Sequence, residues 1–96
     1  MLYVLLCKDK LGSLELRMKV RADHLTYLSS LGDKMKAAGP FLDENGSPAG
    51  SMVIVEADSS AAAKEMASAD PYVKAGLFSE VEIKPWRWTL KNPEVK

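Results

Sequence analysis

The side chains with the clearest chemical potential are the only histidine of the chain, His24, and a distant aspartate, Asp70. Asp70 opens the stretch "DPYVKAGLF", in which a carboxylate and a proline end an alanine-rich segment and the chain then becomes apolar. A carboxylate that accepts the hydrogen of one imidazole nitrogen fixes the histidine tautomer and leaves the other nitrogen able to exchange a proton. The pair predicts a general acid/base centre if the fold brings the two residues into contact.

Two more polar side chains lie near this pair in the chain. Arg21 precedes His24 by three positions on one helix face, where it is suited either to bind an anionic substrate group or to pair with Asp23. Tyr72 follows Asp70 closely and is suited either to donate a phenolic hydrogen bond or to pack its ring. Neither a nucleophile motif nor a glycine-rich phosphate loop occurs, so acid/base chemistry is the reaction type that these residues favour.

The composition is that of one small domain, which we predict to cover residues 1–96. The 13 basic and 13 acidic residues are scattered and cancel, whereas a nucleic-acid-binding protein usually has a basic excess and a basic patch. One cysteine, Cys7, and one histidine cannot form a disulfide or a metal-ligand cluster. We therefore expect no nucleic-acid partner, no metal and no bound cofactor.

The apolar run at residues 2–7 is too short to span a membrane and lacks a basic leader and a cleavage site. We therefore expect a cytoplasmic protein without membrane association.

The hydrophobic pattern predicts four strands and two helices. The strands are expected in residues 2–8, 34–43, 51–57 and 80–88. The first helix should begin at a Ser13 cap and end near Gly32, and the second should cover residues 59–69, with Asp58 or a following serine as its cap. The apolar face of the first helix is expected to hold Leu14, Met18, Leu25 and Leu28.

The resulting order, βαββαβ, is typical of the ferredoxin-like α+β fold, in which a four-stranded antiparallel sheet carries two helices on one face. In that topology the helices run antiparallel and side by side. We therefore expect Asp70, at the end of the second helix, to approach His24 on the first.

The first strand is apolar on both of its faces, which predicts a partner for the sheet. Side chains alternate along a strand, so Leu2, Val4 and Leu6 share the face opposite to Tyr3, Leu5 and Cys7. Two helices cover one face only, and leaving a Leu or Val side chain in water forgoes about 1.5–3 kcal/mol. We therefore expect a homodimer that packs sheet against sheet.

Three stretches together resemble the YCII-related (YciI-like) family of small bacterial proteins: "VRADHLTYL", "AAGPFLDENGSPAGSMVIVEA" and "DPYVKAGLFSEVEIKPW". The resemblance covers nearly the whole chain. It implies a dimeric α/β barrel built from ferredoxin-like halves, with a cleft in which His24 and Asp70 form the active site. It also implies that Gly39-Pro40 and Gly50-Ser51 shape the rim of the pocket, which makes Ser51 a substrate-binding candidate beside Arg21 and Tyr72.

Three functions remain open at this point. The first is a lyase or isomerase acting on an activated small molecule, such as a ring lactone, a hydroquinone or an unsaturated acid. The second is a non-catalytic module that binds a small ligand or supports a partner enzyme. The third is a structural dimer in which the histidine and the aspartate form a buried polar link between helices.

Overall fold

The computed structural model describes residues 1–94 and is organised around one four-stranded antiparallel sheet. The elements are β1 (Leu2–Asp9), α1 (Leu14–Ser30), a short 3-10 turn (Gly32–Lys34), β2 (Met35–Leu42), β3 (Pro48–Glu56), α2 (Ser60–Ser68), α3 (Pro71–Lys74) and β4 (Phe78–Trp86). The strand order is β2-β3-β1-β4, so β2 is the predicted edge strand. The predicted ferredoxin-like α+β fold is confirmed, with α3 as an additional single turn.

The two faces of the sheet differ as the alternation of β1 predicts. Tyr3, Leu5 and Cys7 are buried under the helices, where Val53 and Val55 of β3 join them in one core. The opposite face, called here the open face, carries partly exposed apolar side chains. These are Leu2, Val4 and Leu6 of β1, Met52 of β3, Phe41 of β2 and Trp86 of β4.

The buried face of α1 is not the predicted apolar one. Leu28 is 5% exposed, but Leu14, Met18 and Leu25 are 42–56% exposed. The residues that accompany Leu28 in the interior are Arg17 and His24. The helix is rotated in this way because both polar side chains find carboxylate partners on other elements, which removes most of the cost of burying them.

Two local features set the position of Asp70. Ser59 caps α2, since its hydroxyl accepts a hydrogen bond from the Ala62 amide at 3.1 Å. Asp70 then caps the separate helix α3, where its Oδ1 accepts from the Tyr72 amide at 2.9 Å and Pro71 takes the first helical position. Pro71 therefore starts a new helical turn and does not only stop the preceding helix.

The helices are also joined to each other. The Tyr27 hydroxyl on α1 donates to the Met66 carbonyl on α2 at 2.6 Å. Ser13 lies at the predicted N-cap of α1, but its side chain makes no capping hydrogen bond.

The chain continues past β4 as a tail toward the other edge of the sheet. Trp88 packs on Trp86 with ring centroids 5.6 Å apart, and Glu94 pairs with Lys36 of β2 at 2.6 Å. The last two residues of the predicted domain, 95 and 96, lie outside the described residues. Within residues 1–94, no helix has both the length and the apolar character needed to cross a membrane.

Candidate active site

His24 and Asp70 are in direct contact. The His24 Nδ1 atom lies 2.9 Å from each of the two Asp70 carboxylate oxygens, and the residues are 6% and 7% exposed. A carboxylate only accepts hydrogen bonds, so the hydrogen of the neutral imidazole belongs on Nδ1. The other ring nitrogen, Nε2, makes no hydrogen bond to any residue in the described part of the chain.

Tyr72 fixes the plane of the imidazole ring. Its ring is stacked on His24 with centroids 3.9 Å apart and an interplanar angle of 17°. Phe78, the first residue of β4, meets the Tyr72 ring edge-on at 5.9 Å. The contact of Nδ1 with the Asp70 carboxylate and this stacking hold the histidine from two sides, which limits its rotation.

A second polar network lies two turns earlier on α1. The Arg17 Nε and Nη2 atoms donate to the two carboxylate oxygens of Asp9 at 2.7 and 2.9 Å, and Nη2 also donates to the Ser51 hydroxyl at 2.8 Å. The guanidinium carbon lies 4.8 Å from the centre of the Tyr72 ring. The ring of Tyr72 thus contacts both Arg17 and His24.

These side chains line one open cavity of about 570 Å³ between α1 and the β2–β3 side of the sheet. This volume lies within the range of small-molecule sites, roughly 300–1,000 Å³. The polar residues of its wall are Arg17, Arg21, His24, Ser51 and Tyr72. The remaining wall is apolar and includes Met18 and Leu25 of α1, whose exposure on the helix surface is thereby explained, and Gly39 and Pro40 of β2.

The structure brings all the predicted site residues together, but at different depths. His24, Ser51 and Tyr72 are buried in the cavity wall, whereas Arg21 is exposed at it. Asp70 does not line the cavity and contacts His24 from behind. Within residues 1–94, no three His, Cys, Asp or Glu side chains are grouped as a metal site would require.

Arg17 and Asp9 were not among the predicted site residues. Two signals could have identified them. Asp9 continues the inward alternation of Tyr3, Leu5 and Cys7 along β1, and Arg17 precedes His24 by seven positions, which places it on the same helix face. An inward carboxylate and an inward guanidinium from adjacent elements then form a buried pair.

Burial and the two networks shift several pKa values. Burial lowers the pKa of Arg17, but the hydrogen bond and charge of Asp9 outweigh this effect, so the pKa of Arg17 is raised. Burial raises the pKa of Tyr72, and the charges of Arg17 and Arg21 act against this rise. The arginine therefore stays charged and the phenol stays neutral at neutral pH.

Gly50 permits the close approach of strands beside the site. A Cβ atom at this position would lie 2.6 Å from the Cys7 carbonyl oxygen of the neighbouring strand. The next residue, Ser51, pairs with Cys7 in the register of β1 and β3 and bonds to Arg17. The glycine therefore determines how closely β3 brings Ser51 to the guanidinium.

Solved structures define the class of protein. The 5-chloro-2-hydroxyhydroquinone dehydrochlorinase TftG from Burkholderia phenoliruptrix, in complex with 2,5-dihydroxybenzoquinone, is similar with a TM-score of 0.83 and 35% identity, covering 91% of this chain and 94% of that chain. SnoaB from Streptomyces nogalater, a cofactor-independent oxygenase, matches with a TM-score of 0.56 and 10% identity over 95% of this chain and 96% of its own, so it shows the fold alone. Both structures share the ferredoxin-like α/β fold of this chain.

Within that class, the chain belongs to the YCII-related family. The model of the YCII-related domain matches residues 1–87. Protein YciI from Escherichia coli O6:H1 is 44% identical over 95 aligned residues, which cover 91% of this chain and 97% of that protein. An uncharacterized protein from Haemophilus influenzae is 40% identical over the same coverage. The predicted family resemblance is confirmed.

Proposed function

We propose that this protein is a small-molecule enzyme of the lyase or isomerase type, in which His24 is the general acid/base and Asp70 positions it. The observation that carries the proposal is the contact of His24 Nδ1 with both Asp70 oxygens, at 2.9 Å, in the wall of a cavity of small-molecule size. Arg21, Ser51 and Tyr72 are the proposed substrate contacts, since each lines the same cavity.

The proposed step begins with His24 Nε2. This nitrogen takes a proton from a carbon or hydroxyl of the substrate, and Asp70 stabilises the imidazolium that forms. The electron pair left on the substrate forms a new double bond. In an isomerisation the imidazolium returns the proton to another atom of the same molecule, whereas in an elimination a leaving group departs with its own electron pair.

The expected rate enhancement restricts the class of substrate. One positioned acid/base contributes about 10²–10⁴ in rate, whereas enzymes commonly reach about 10⁶ or more. The substrate should therefore be a molecule whose proton is already acidic, such as a hydroquinone, a ring lactone or an unsaturated acid. The 35% identical neighbour TftG supports this choice, since its name describes the elimination of HCl from a chlorinated hydroxyhydroquinone.

The test is turnover by wild type and by two isosteric variants. The protein is incubated in D₂O with chlorinated hydroquinones, hydroxyquinones and unsaturated lactones, and NMR follows both conversion and deuterium exchange at carbon. We expect His24→Gln and Asp70→Asn to lower the rate by about 10²–10⁴ while their melting temperatures stay close to wild type. Asp23→Asn, which changes an exposed carboxylate next to His24, is the matched control.

The outcomes separate the three functions. If ligands bind but wild type is no faster than buffer, the protein is a binding or accessory module. If turnover persists in both variants while their unfolding free energy falls by about 1 kcal/mol or more, the pair is a structural link, because this is the scale of a lost buried hydrogen bond.

We also propose that residues 1–96 act as one domain and that two copies form the functional unit through their open faces. The partly exposed apolar side chains on that face support this assembly.

A further inference from the structure

The charged side chains that line the cavity are arginines. Arg17 and Arg21 line it, whereas no carboxylate of residues 1–94 does. The two nearest carboxylates, Asp9 and Asp70, are each turned toward their partners behind the wall. A cavity with cationic groups, hydrogen-bond donors and no acid is electrostatically complementary to an anion.

Hydrogen bonds fix the guanidinium group of Arg17 in a position suited to anion binding. Asp9 binds its guanidinium through two hydrogen bonds, and Ser51 accepts a third. These bonds use Nε and Nη2, the Tyr72 side chain also interacts with the guanidinium, and Arg17 lines the cavity. A guanidinium fixed in this way at a cavity wall loses little conformational entropy when it binds an anionic oxygen.

Tyr72 sets the geometry between Arg17 and the acid/base group. Seven residues of helix separate Arg17 from His24 by about 10 Å along α1. The Tyr72 ring fills this interval, with the His24 ring centroid at 3.9 Å and the Arg17 guanidinium carbon at 4.8 Å from its own centroid. One planar ligand ring lying along this wall reaches both groups.

We propose that Arg17 is the anion-binding residue of the cavity, and that the ligand is a planar unsaturated ring bearing an ionised oxygen, either a carboxylate or a phenolate. The inference rests on the proposed function for its catalytic meaning, but it concerns binding and can be tested without turnover. In the proposed reaction, a C–H bond at a ring carbon next to a carbonyl breaks and the proton goes to His24 Nε2. The electron pair of that bond forms a C=C bond, and the π pair of the carbonyl moves onto its oxygen, which faces Arg17 and becomes the ionised oxygen of the ligand. The guanidinium thus stabilises the charge that proton removal creates.

The first experiment compares two probes that share a planar phenolic ring and differ in charge. Salicylate carries a carboxylate, and salicylamide is its uncharged counterpart. Binding to the full chain is measured by NMR titration and calorimetry at pH 7 and low salt. We expect salicylate to bind about tenfold or more tightly than salicylamide, which corresponds to one charge-assisted hydrogen bond.

The choice of variants is limited by the buried ion pair of Arg17 and Asp9. Removing Arg17 alone would leave the Asp9 carboxylate buried and unpaired, which is strongly destabilising. The double variant Asp9→Asn with Arg17→Gln removes both charges together. The single variant Arg17→Lys keeps the positive charge but lacks the planar guanidinium group. We expect the double variant to melt cooperatively and to bind the two probes with affinities less than threefold apart, and Arg17→Lys to retain a reduced preference.

Two matched controls separate the contribution of Arg17 to the salicylate preference from that of other residues. Arg21→Gln removes the exposed arginine one turn away and should reduce the preference for salicylate by less than threefold, with an effect that disappears in added salt. Asp23→Asn, which changes an exposed carboxylate that does not line the cavity, should leave the preference unchanged.

Two results would overturn the proposal. The first is the absence of a preference for salicylate in wild type, including the case in which neither probe binds up to millimolar concentration. The second is a preference of tenfold or more that survives in the double variant. In either case, a loss of turnover in His24→Gln would leave the proposed acid/base function standing, so the two failures are distinguishable.

Discussion

Arg17 and His24 are buried where a helix face would ordinarily be apolar, and each is held by a carboxylate from another element. Buried ion pairs are poor stabilisers, since the cost of removing two charges from water offsets most of their attraction. Two such networks in the wall of one cavity are therefore better explained by the chemistry of the cavity than by stability.

The core residue Cys7 gives a prediction about pH. Burial raises the pKa of its thiol from 9.0 to about 12, and the charge of Asp70 acts in the same direction. Below pH 9 the thiol is neutral in both the folded and the unfolded state, so it does not affect stability. Between pH 9 and 12 only the unfolded state releases the proton, so the unfolding free energy should fall by up to about 1.4 kcal/mol per pH unit.

Urea unfolding of wild type and of Cys7→Ala is measured at several pH values. The effect of Cys7 is the difference between the two proteins in the slope of unfolding free energy against pH. The comparison is needed because Tyr27 and Tyr72, whose pKa values are also raised by burial, contribute to both proteins. The native thiol should also resist alkylation at pH 8. Equal slopes, or rapid alkylation of the folded protein, would contradict the burial of Cys7.

At the scale of elements, the site depends on how closely β1 and β3 pair. Gly50→Ala should destabilise the fold by about 1–3 kcal/mol, because the new methyl group meets the backbone oxygen of Cys7, which cannot move without displacing a strand. The displacement should also weaken the bond between Ser51 and Arg17. Urea denaturation measures the first effect, and probe binding measures the second.

Gly39 provides the control for this substitution. It lies on the neighbouring strand β2, opposite Met52, and a Cβ atom there meets nothing within 4 Å. Gly39→Ala should therefore leave the unfolding free energy within about 0.5 kcal/mol of wild type, the usual range for a tolerated surface change. A similar loss of stability in both variants would show that close strand approach is not the cause.

At the scale of the whole molecule, the open face is the feature that a single chain leaves unexplained. Val4 lies on the central strand β1 between Ile54 and Lys84 of its neighbours. If two copies pack through this face, Val4→Asp buries a carboxylate at the centre of the interface and should convert the dimer to a folded monomer. Size-exclusion chromatography with light scattering measures the oligomeric state, and circular dichroism shows whether the variant is folded.

Leu11→Asp is the control, since Leu11 lies in the turn after β1 and is 99% exposed. This variant should elute as wild type does. A monomeric wild type at high protein concentration, or a dimeric Val4→Asp variant, would exclude the open face as the interface.

The sequence alone determined the order of the elements and the two faces of β1, because alternation and turn residues are local properties of the chain. It also predicted that Asp70 approaches His24, since the ferredoxin-like topology runs the two helices antiparallel and side by side. Only the tertiary structure decided which face of α1 is buried. Hydrophobic periodicity favoured Leu14, Met18 and Leu25, but the contacts of Arg17 with Asp9 and of His24 with Asp70 rotate the helix. Such contacts join residues far apart in the chain, so no local pattern reports them.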